Sequence, residues 1–289
     1  MGAETDWGSG QLEPRGDQNR AADTAPATNA AAEAKPIEAS LFVAMPTATG
    51  NVRVETVSSV VRMTKALQAH DVSVTFASTS HVEIAASRNL LVAEFLASGR
   101  SHCLFIDDDM GFEPQVIGDM LAIERPFVGV FCPKRTLDLD RFGKAYSEAA
   151  STGSKDPLHT ALAQSADFVG RPLRPTDARI VTAEQVGAGI LLLRRDVFET
   201  LDRADDTIPT VPNPTGGQPI KAYFDRVYLE KRGGYLSEDH SFCHRWRNKA
   251  KGKVFAFAGR GITHYGTFPF QAALADLPET AAGSPKPRS

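Results

Sequence analysis

From residue 41 to residue 132 the chain alternates short apolar runs with stretches of helical periodicity, and that alternation leaves few folds open. Leu41-Phe42-Val43-Ala44-Met45 is a continuous apolar run stopped by Pro46, as expected of a buried strand. Val57, Val60, Val61, Thr64 and Leu67 then recur at helical spacing and predict a helix over residues 52–69. A strand over 72–77 follows, then a helix over 84–97 carrying Leu91, Val92, Phe95 and Leu96. A strand over 103–106, a helix over 114–124 and a strand over 127–132 complete this half. Strands and helices in turn, joined by short connections, predict an α/β fold with a mostly parallel central sheet flanked by helices. In a Rossmann-like sheet of this kind, ligands gather beyond the carboxyl ends of the strands.

The rest of the chain is less regular. Residues 133–180 are polar, broken by Gly and Pro and weakly periodic, so a lid or binding loop is expected there. A strand over 190–193, a helix over 196–201 and a Pro/Gly-rich loop over 208–219 come next. Ser237-Glu238-Asp239 opens a helix that runs to Lys249, and residues 254–258 read as a last strand. This is an irregular α+β half added to the same sheet. Residues 1–38 are Ala-rich with few large apolar side chains, and 271–289 are similarly poor in them, so both are expected to be disordered tails. One folded domain over 39–270 remains.

Of 289 residues, 32 are Lys or Arg and 35 Asp or Glu, a formal net charge of −3. That balance argues against a protein that coats nucleic acid or an anionic membrane. The three cysteines, Cys103, Cys132 and Cys243, are far apart and form no CxxC, so neither a disulfide scaffold nor a zinc ribbon is expected. No apolar run approaches the roughly 20 residues of a membrane span, and the opening segment lacks the order of a signal peptide. A cytoplasmic location is the expectation.

The feature richest in chemistry is Phe105-Ile106-Asp107-Asp108-Asp109-Met110. Three carboxylates at the end of a buried strand repel one another and call for a compensating charge. In an extended chain Asp107 and Asp109 share a face and Asp108 points the other way. Two carboxylates so placed suit a hard divalent cation that also takes phosphate oxygens. A solvated turn capping the next helix is the plainer alternative.

Ser237 reads as an N-cap with Glu238 and Asp239 in the first helical turn, where the helix dipole favours acids. That explanation is complete in itself, yet a carboxylate there is also able to act as a general base. Arg88 falls near the start of a helix, a position suited to a phosphate and equally to a surface arginine. His240 and His244 stand four apart without a convincing third zinc ligand, and His264 follows the last strand. Val186-Gly187-Ala188-Gly189 precedes its strand, so it is no dinucleotide fingerprint.

Taken in order, Pro46-Thr47, Ser87-Arg88-Asn89, FIDDDM, VGAGILLLRRDVF, LSEDHSFCHRWR and ITHYG resemble the GT-A glycosyltransferases, in particular family-2-like bacterial and viral proteins. The resemblance covers roughly residues 40–268 and implies a GT-A fold, a nucleotide-diphosphate-sugar donor and a Mn²⁺ or Mg²⁺ ion. Residue by residue, it implies Asp107 and Asp109 as the DxD pair, with Asp109 the principal metal ligand and Asp107 or Asp108 near the ribose and the metal waters. It also implies that Pro46 and Thr47 border the nucleoside, that Arg88 reaches the nucleotide or its phosphates, and that His264 completes the metal site. Asp239 corresponds to the base of inverting members, with Glu238 as its alternate. His244-Arg245-Trp246 matches the QxxRW motif of processive members only in part, because its Gln is missing. The acceptor, whether glycan, lipid-linked or small molecule, is not identified by this likeness.

Three other readings compete. A haloacid-dehalogenase-like phosphohydrolase also carries Asp-x-Asp after a buried strand, but on its first strand and without Met-Gly following. A non-catalytic nucleotide-sugar-binding protein has no need of the DDD, ED and late-His elements together. Nucleotidyltransferases usually carry a Gly-rich loop after the first strand, which Thr47-Ala48-Thr49-Gly50 matches poorly.

Overall fold

The apolar run at residue 41 forms β1 (Ser40–Thr47), the strand around which the sheet is built. In the computed structural model, residues 39–81, 83–173 and 179–266 are described, so the expected tails 1–38 and 271–289 lie outside the described residues. After β1 come α1 (Val54–Gln68), β2 (Ser73–Ser80), α2 (Ile84–Ala97), β3 (His102–Ile106), β4 (Met110–Phe112) and α3 (Pro114–Ala122). Next are β5 (Phe127–Val130), β6 (Cys132–Pro133), α4 (Leu139–Ser151), α5 (Pro157–Ser165), β7 (Phe168–Pro172), β8 (Ile180–Arg194) and α6 (Arg195–Ala204). Four short strands follow, β9 (Thr210–Val211), β10 (Ile220–Lys221), β11 (Tyr228–Leu229) and β12 (Gly234–Tyr235). Finally come α7 (Glu238–Asn248), β13 (Val254–Phe257) and β14 (Ile262–His264).

The central sheet runs β13-β5-β8-β3-β1-β2. β1 is parallel to β2 and β3, and β5 is parallel to β13, while β8 is antiparallel to both β3 and β5. Every strand of this path except β8 therefore points the same way, the mostly parallel arrangement expected from the alternation. Successive residues of a strand face opposite sides. Phe42 and Ala44 accordingly join Cys103 and Phe105 in one core, with Phe95 of α2, Phe198 of α6, and Phe242 and Trp246 of α7. Leu41, Val43 and Met45 join Leu104 and Ile106 in the other, with Met63 and Leu67 of α1 and Val116 and Met120 of α3. A sheet buried on both faces needs continuous apolar strands, which is how β1 and β3 read in the sequence. Among the described residues, no helix is long and apolar enough to cross a membrane.

Two expectations need correction. Residues 133–180 are not one long loop: α4 and α5 lie within them, and β7 joins the sheet. Both helices start at an aspartate, Asp138 accepting from the Arg141 N–H at 3.0 Å and Asp156 from the His159 N–H at 2.9 Å. Their periodicity is faint because α4 buries just Ala149, and α5 just Ala161 and Ser165, while Leu139, Tyr146, Leu158 and Leu162 stay exposed. The strand expected over 190–193 is also much longer. β8 pairs with β13 and β7 through its first half and with β5 and β3 through its second. Gly187 and Gly189 conceal this continuity, since glycine carries no strand propensity.

Candidate active site

β1 and β3 are adjacent and parallel, and β2 and β3 lie on opposite sides of β1, so the chain crosses over β1 between them. Their carboxyl ends therefore flank the point where an open α/β sheet binds its ligands. Pro46 and Thr47 end β1 there, and the three aspartates follow β3. Pairing of β1 with β3 stops at Ala44, so Pro46 pairs with β2 alone, a tolerable place for a residue without an N–H. The Thr47 hydroxyl accepts from the Gly50 N–H at 2.9 Å, which turns the chain away from the sheet.

The aspartates do not continue the strand. The Met110 N–H donates to the Asp107 carbonyl at 3.2 Å, closing a turn, so strand alternation does not place the three carboxylates. The Asp107 N–H donates to the Gly189 carbonyl of β8 at 2.9 Å, and the Asp108 carbonyl accepts from the Arg53 N–H at 3.0 Å and the Thr56 hydroxyl at 3.1 Å. The Tyr265 N–H then donates to the Asp109 carbonyl at 2.9 Å, beside the pairing of β14 with β4. The turn is fixed from three directions.

Each carboxylate finds its own environment. Arg88 Nη2 donates to Asp107 Oδ1 at 2.8 Å. Burial raises the Asp107 pKa and outweighs Arg88, which lowers it. Burial, with Asp109 and Asp107 beside it, also raises that of Asp108. Asp109 is held below the usual carboxylate range: burial pushes it up, but the His264 hydrogen bond and charge and Arg135 outweigh that. Asp109 Oδ1 lies 3.2 Å from His264 Nε2 and Oδ2 lies 2.6 Å from Arg135 Nη1.

His264 is oriented from behind. Its Nδ1 is 2.8 Å from the Pro133 carbonyl, and a carbonyl can solely accept, so Nδ1 carries a proton. Nε2 is thereby turned to Asp109, the arrangement in which a metal-binding imidazole is held by its outer partner. Burial alone would lower the His264 pKa, but the Asp109 hydrogen bond and the Pro133 carbonyl raise it above 6.5. Asp109 and His264 thus face one another from separate segments of the chain. Among the described residues no group of three His, Cys, Asp or Glu is gathered, so the expected trio of Asp107, Asp109 and His264 is not assembled. Asp107 instead pairs with Arg88. A cation at Asp109 and His264 would draw its other ligands from water and substrate, as Mg²⁺ usually does.

The alternative of a surface Arg88 is overturned. Arg88 is 2% exposed, lies over the rings of Phe105 and Phe224, and donates from Nη1 to the Ala188 carbonyl at 3.3 Å. Its Nε sits 3.6 Å from Glu238 Oε1, so its charge is shared between Asp107 and the start of α7. Burial alone would lower the Arg88 pKa, but Asp107, Glu238 and Asp239 together raise it. Burial raises the Glu238 pKa, Asp239 adding to the effect and Arg88 opposing it.

Ser237 makes no side-chain cap to the α7 backbone. Its hydroxyl instead donates to Asp239 Oδ1, which also accepts from the His240 N–H at 2.7 Å. Asp239 Oδ2 faces Gly187 of β8, lying 3.6 Å from where a β-carbon on that glycine would sit. The same β-carbon would meet Val169 at 2.8 Å, so this glycine allows the close approach of β7. His244, read with His240 as a possible half of a zinc site, turns to Asn248, its Nδ1 3.0 Å from Nδ2, and among the described residues joins no group of three metal ligands.

The sequence alone does not single out Arg135, Pro133 or Gly187 as parts of this site. A Lys-Arg pair directly after a buried strand was the available signal for Arg135. Lys134, Arg135, Thr136, Val169, His264 and Gly266 line a cavity of about 520 Å³ beside Asp109.

No family model matches the chain, and no curated protein matches it. Among solved structures it is similar to A197 from STIV at 14% identity and a TM-score of 0.43, over 79% of this chain and 86% of that one. It is similar to a UDP-glucose pyrophosphorylase complexed with UDP-glucose at 10% identity and a TM-score of 0.37, over 76% and 90%. A glycosyltransferase involved in the glycosylation of the major capsid of PBCV-1 matches at 9% identity and a TM-score of 0.30, over 75% and 92%. At such TM-scores a functional conclusion has to come from the side chains.

Proposed function

We propose that the protein is a glycosyltransferase that uses a nucleotide-diphosphate sugar and Mn²⁺ or Mg²⁺, and passes the sugar to an acceptor hydroxyl with inversion. One observation carries this function: Asp109 and His264, from separate segments, converge 3.2 Å apart at the carboxyl end of β3, with His264 oriented by Pro133. The ordered resemblance of the motifs supports it.

Asp109 and His264 are the residues that hold the cation, and Asp108 and Asp107 stand next to them on the turn. Bound there, the cation would offset the charge of the departing nucleoside diphosphate. Pro46 and Thr47 border the nucleoside at the end of β1. Arg88 is spent on Asp107, Glu238 and Ala188, so its part is to hold the acids in place rather than to reach a phosphate. Asp239 is the general base. Ser237 and His240 fix its Oδ1, and Oδ2 takes the proton of the acceptor hydroxyl as that oxygen attacks the anomeric carbon from the face opposite the leaving group. Glu238, facing Arg88, is less suited to accept a proton.

A phosphohydrolase would need Asp107 as a free nucleophile on the first strand, whereas it follows β3 and pairs with Arg88. Thermal-shift measurements with UDP-, GDP-, ADP- and dTDP-sugars, with and without Mn²⁺, test the proposal. Mn²⁺-dependent stabilisation by one nucleotide class is expected. No shift with any of them would sink it.

A further inference from the structure

Arg135 is the cation nearest the free side of Asp109, and nothing in the donor chemistry above uses it. Its Nη1 is 2.6 Å from Asp109 Oδ2, yet its side chain is 54% exposed against 13% for Asp109. A long, half-exposed side chain can leave a carboxylate that is itself fixed. The stem of Arg135 lies along Gly266, where a β-carbon would come within 3.3 Å of the Arg135 Cβ and 3.6 Å of its Cδ. Glycine at that position gives the stem a track past the end of β14. The track borders the 520 Å³ cavity that Lys134, Thr136 and His264 also line. Among the described residues the lining of that cavity contains two permanent cations, Lys134 and Arg135, and no carboxylate. Such a lining selects an anionic group, and the guanidinium is a bidentate donor for phosphate.

We propose that Arg135 is an exchangeable cation: it neutralises Asp109 in the ligand-free protein, yields Oδ2 to a divalent cation, and turns along Gly266 to take a phosphate oxygen in the adjoining cavity. The inference rests on the metal-dependent function proposed above. It makes Arg135 a competitor of the metal when no substrate is present and a ligand of the substrate when the metal has bound. Cation and phosphate then bind in a coupled way, because each favours the same position of the side chain.

The test measures Mn²⁺ affinity of the full chain by electron paramagnetic resonance, with no nucleotide present, and pyrophosphate affinity by calorimetry in saturating Mg²⁺. Arg135→Ala should bind Mn²⁺ about three- to tenfold more tightly than the unmodified protein, because a competing ion pair is gone. It should bind pyrophosphate about tenfold or more weakly, because a charge-assisted bond is lost. Arg135→Lys should keep most of the Mn²⁺ competition, and Lys134→Ala should weaken pyrophosphate without tightening Mn²⁺. If the unmodified protein binds Mn²⁺ and Arg135→Ala binds it no more tightly, the exchange is overturned while the metal site stands. Tighter Mn²⁺ with unchanged pyrophosphate overturns the substrate half of the proposal. If neither protein binds Mn²⁺, the exchange and the metal-dependent function fall together.

Discussion

Arg88 and Asp107 meet beyond the end of β3, Nη2 2.8 Å from Oδ1, with the guanidinium 5.4 Å from the ring centre of Phe105 and 5.8 Å from that of Phe224. A run of three aspartates calls for positive charge, and the protein supplies part of it from its own core. Arg88 takes Asp107, Arg135 and His264 take Asp109, and Asp108 stands between them. The aspartate block is thus split into carboxylates with different duties.

Removing Arg88 leaves the half-buried Asp107 without its partner. Arg88→Met should lower folding stability by about 1–3 kcal/mol, less than for a fully buried charge because water still reaches Asp107. Adding Asp107→Asn to Arg88→Met should restore part of the loss. Urea unfolding measures both, and a loss below about 1 kcal/mol in the single variant would show that the pair is unimportant to the fold.

The Asp109–His264 pair gives stability a defined dependence on pH. His264 has a folded pKa raised above its ordinary 6.5, so its contribution is full below that value and is lost as pH rises through the folded pKa. Asp109 has a folded pKa below its ordinary 3.8, so its contribution is present above that value and is lost as pH falls through the folded pKa. Metal-free protein should therefore lose melting temperature as pH rises from about 6 towards 9, and His264→Gln should flatten that slope. An unchanged slope in the variant would contradict the assignment.

Gly187 allows β7 to approach β8. Gly187→Ala forces a methyl against Val169 at 2.8 Å, so a destabilisation of about 1–3 kcal/mol is expected from overpacking. The same methyl would lie 3.6 Å from Asp239 Oδ2, an ordinary contact, so transfer activity should fall no further than stability explains. Assays at a temperature where the variant is fully folded test this.

Asp239→Asn keeps the shape of the carboxylate and removes its basicity. Sugar transfer should drop by about 10²–10⁴ while Mn²⁺-dependent donor binding, followed by thermal shift, is kept. Full transfer by this variant would end its assignment as base, and the same measurement on Glu238→Gln would then show whether the neighbouring acid takes the role.

The alternating half of the fold was legible because β1, β3 and β5 are apolar on both faces, although the stripe read for α1 was not the buried one: Val57 and Val61 are exposed, and α1 buries Thr56, Ser59, Met63 and Leu67. α2 is placed to the residue, and α7 begins one residue after Ser237. β8 was legible in its second half alone, where Ile190–Leu193 is buried; its glycines serve close approaches that no local pattern announces. The helices α4 and α5 were hidden for the opposite reason, since they bury too little to leave a period. At the site, Asp109 and His264 were identified by motif and do meet. Arg88 and Arg135 depend on contacts made across long stretches of sequence, from residue 88 to residues 107 and 238 and from residue 135 to residue 109, which residue spacing does not encode.

The length and placement of β8 also govern how the chain must be made. β1, β2 and β3 can pair as soon as they are synthesised, but the second edge of β3 waits for Ile190–Arg194. At about 5–20 residues per second, the apolar strand His102–Ile106 stands open for roughly five to twenty seconds while the intervening chain emerges. β5 and β13 pair with each other, but they join β1, β2 and β3 through that later segment, which lies between β5 and β3. One antiparallel segment therefore closes two half-sheets at once, and until it arrives the nascent protein carries an unpaired hydrophobic edge that invites chaperones and its own neighbours alike.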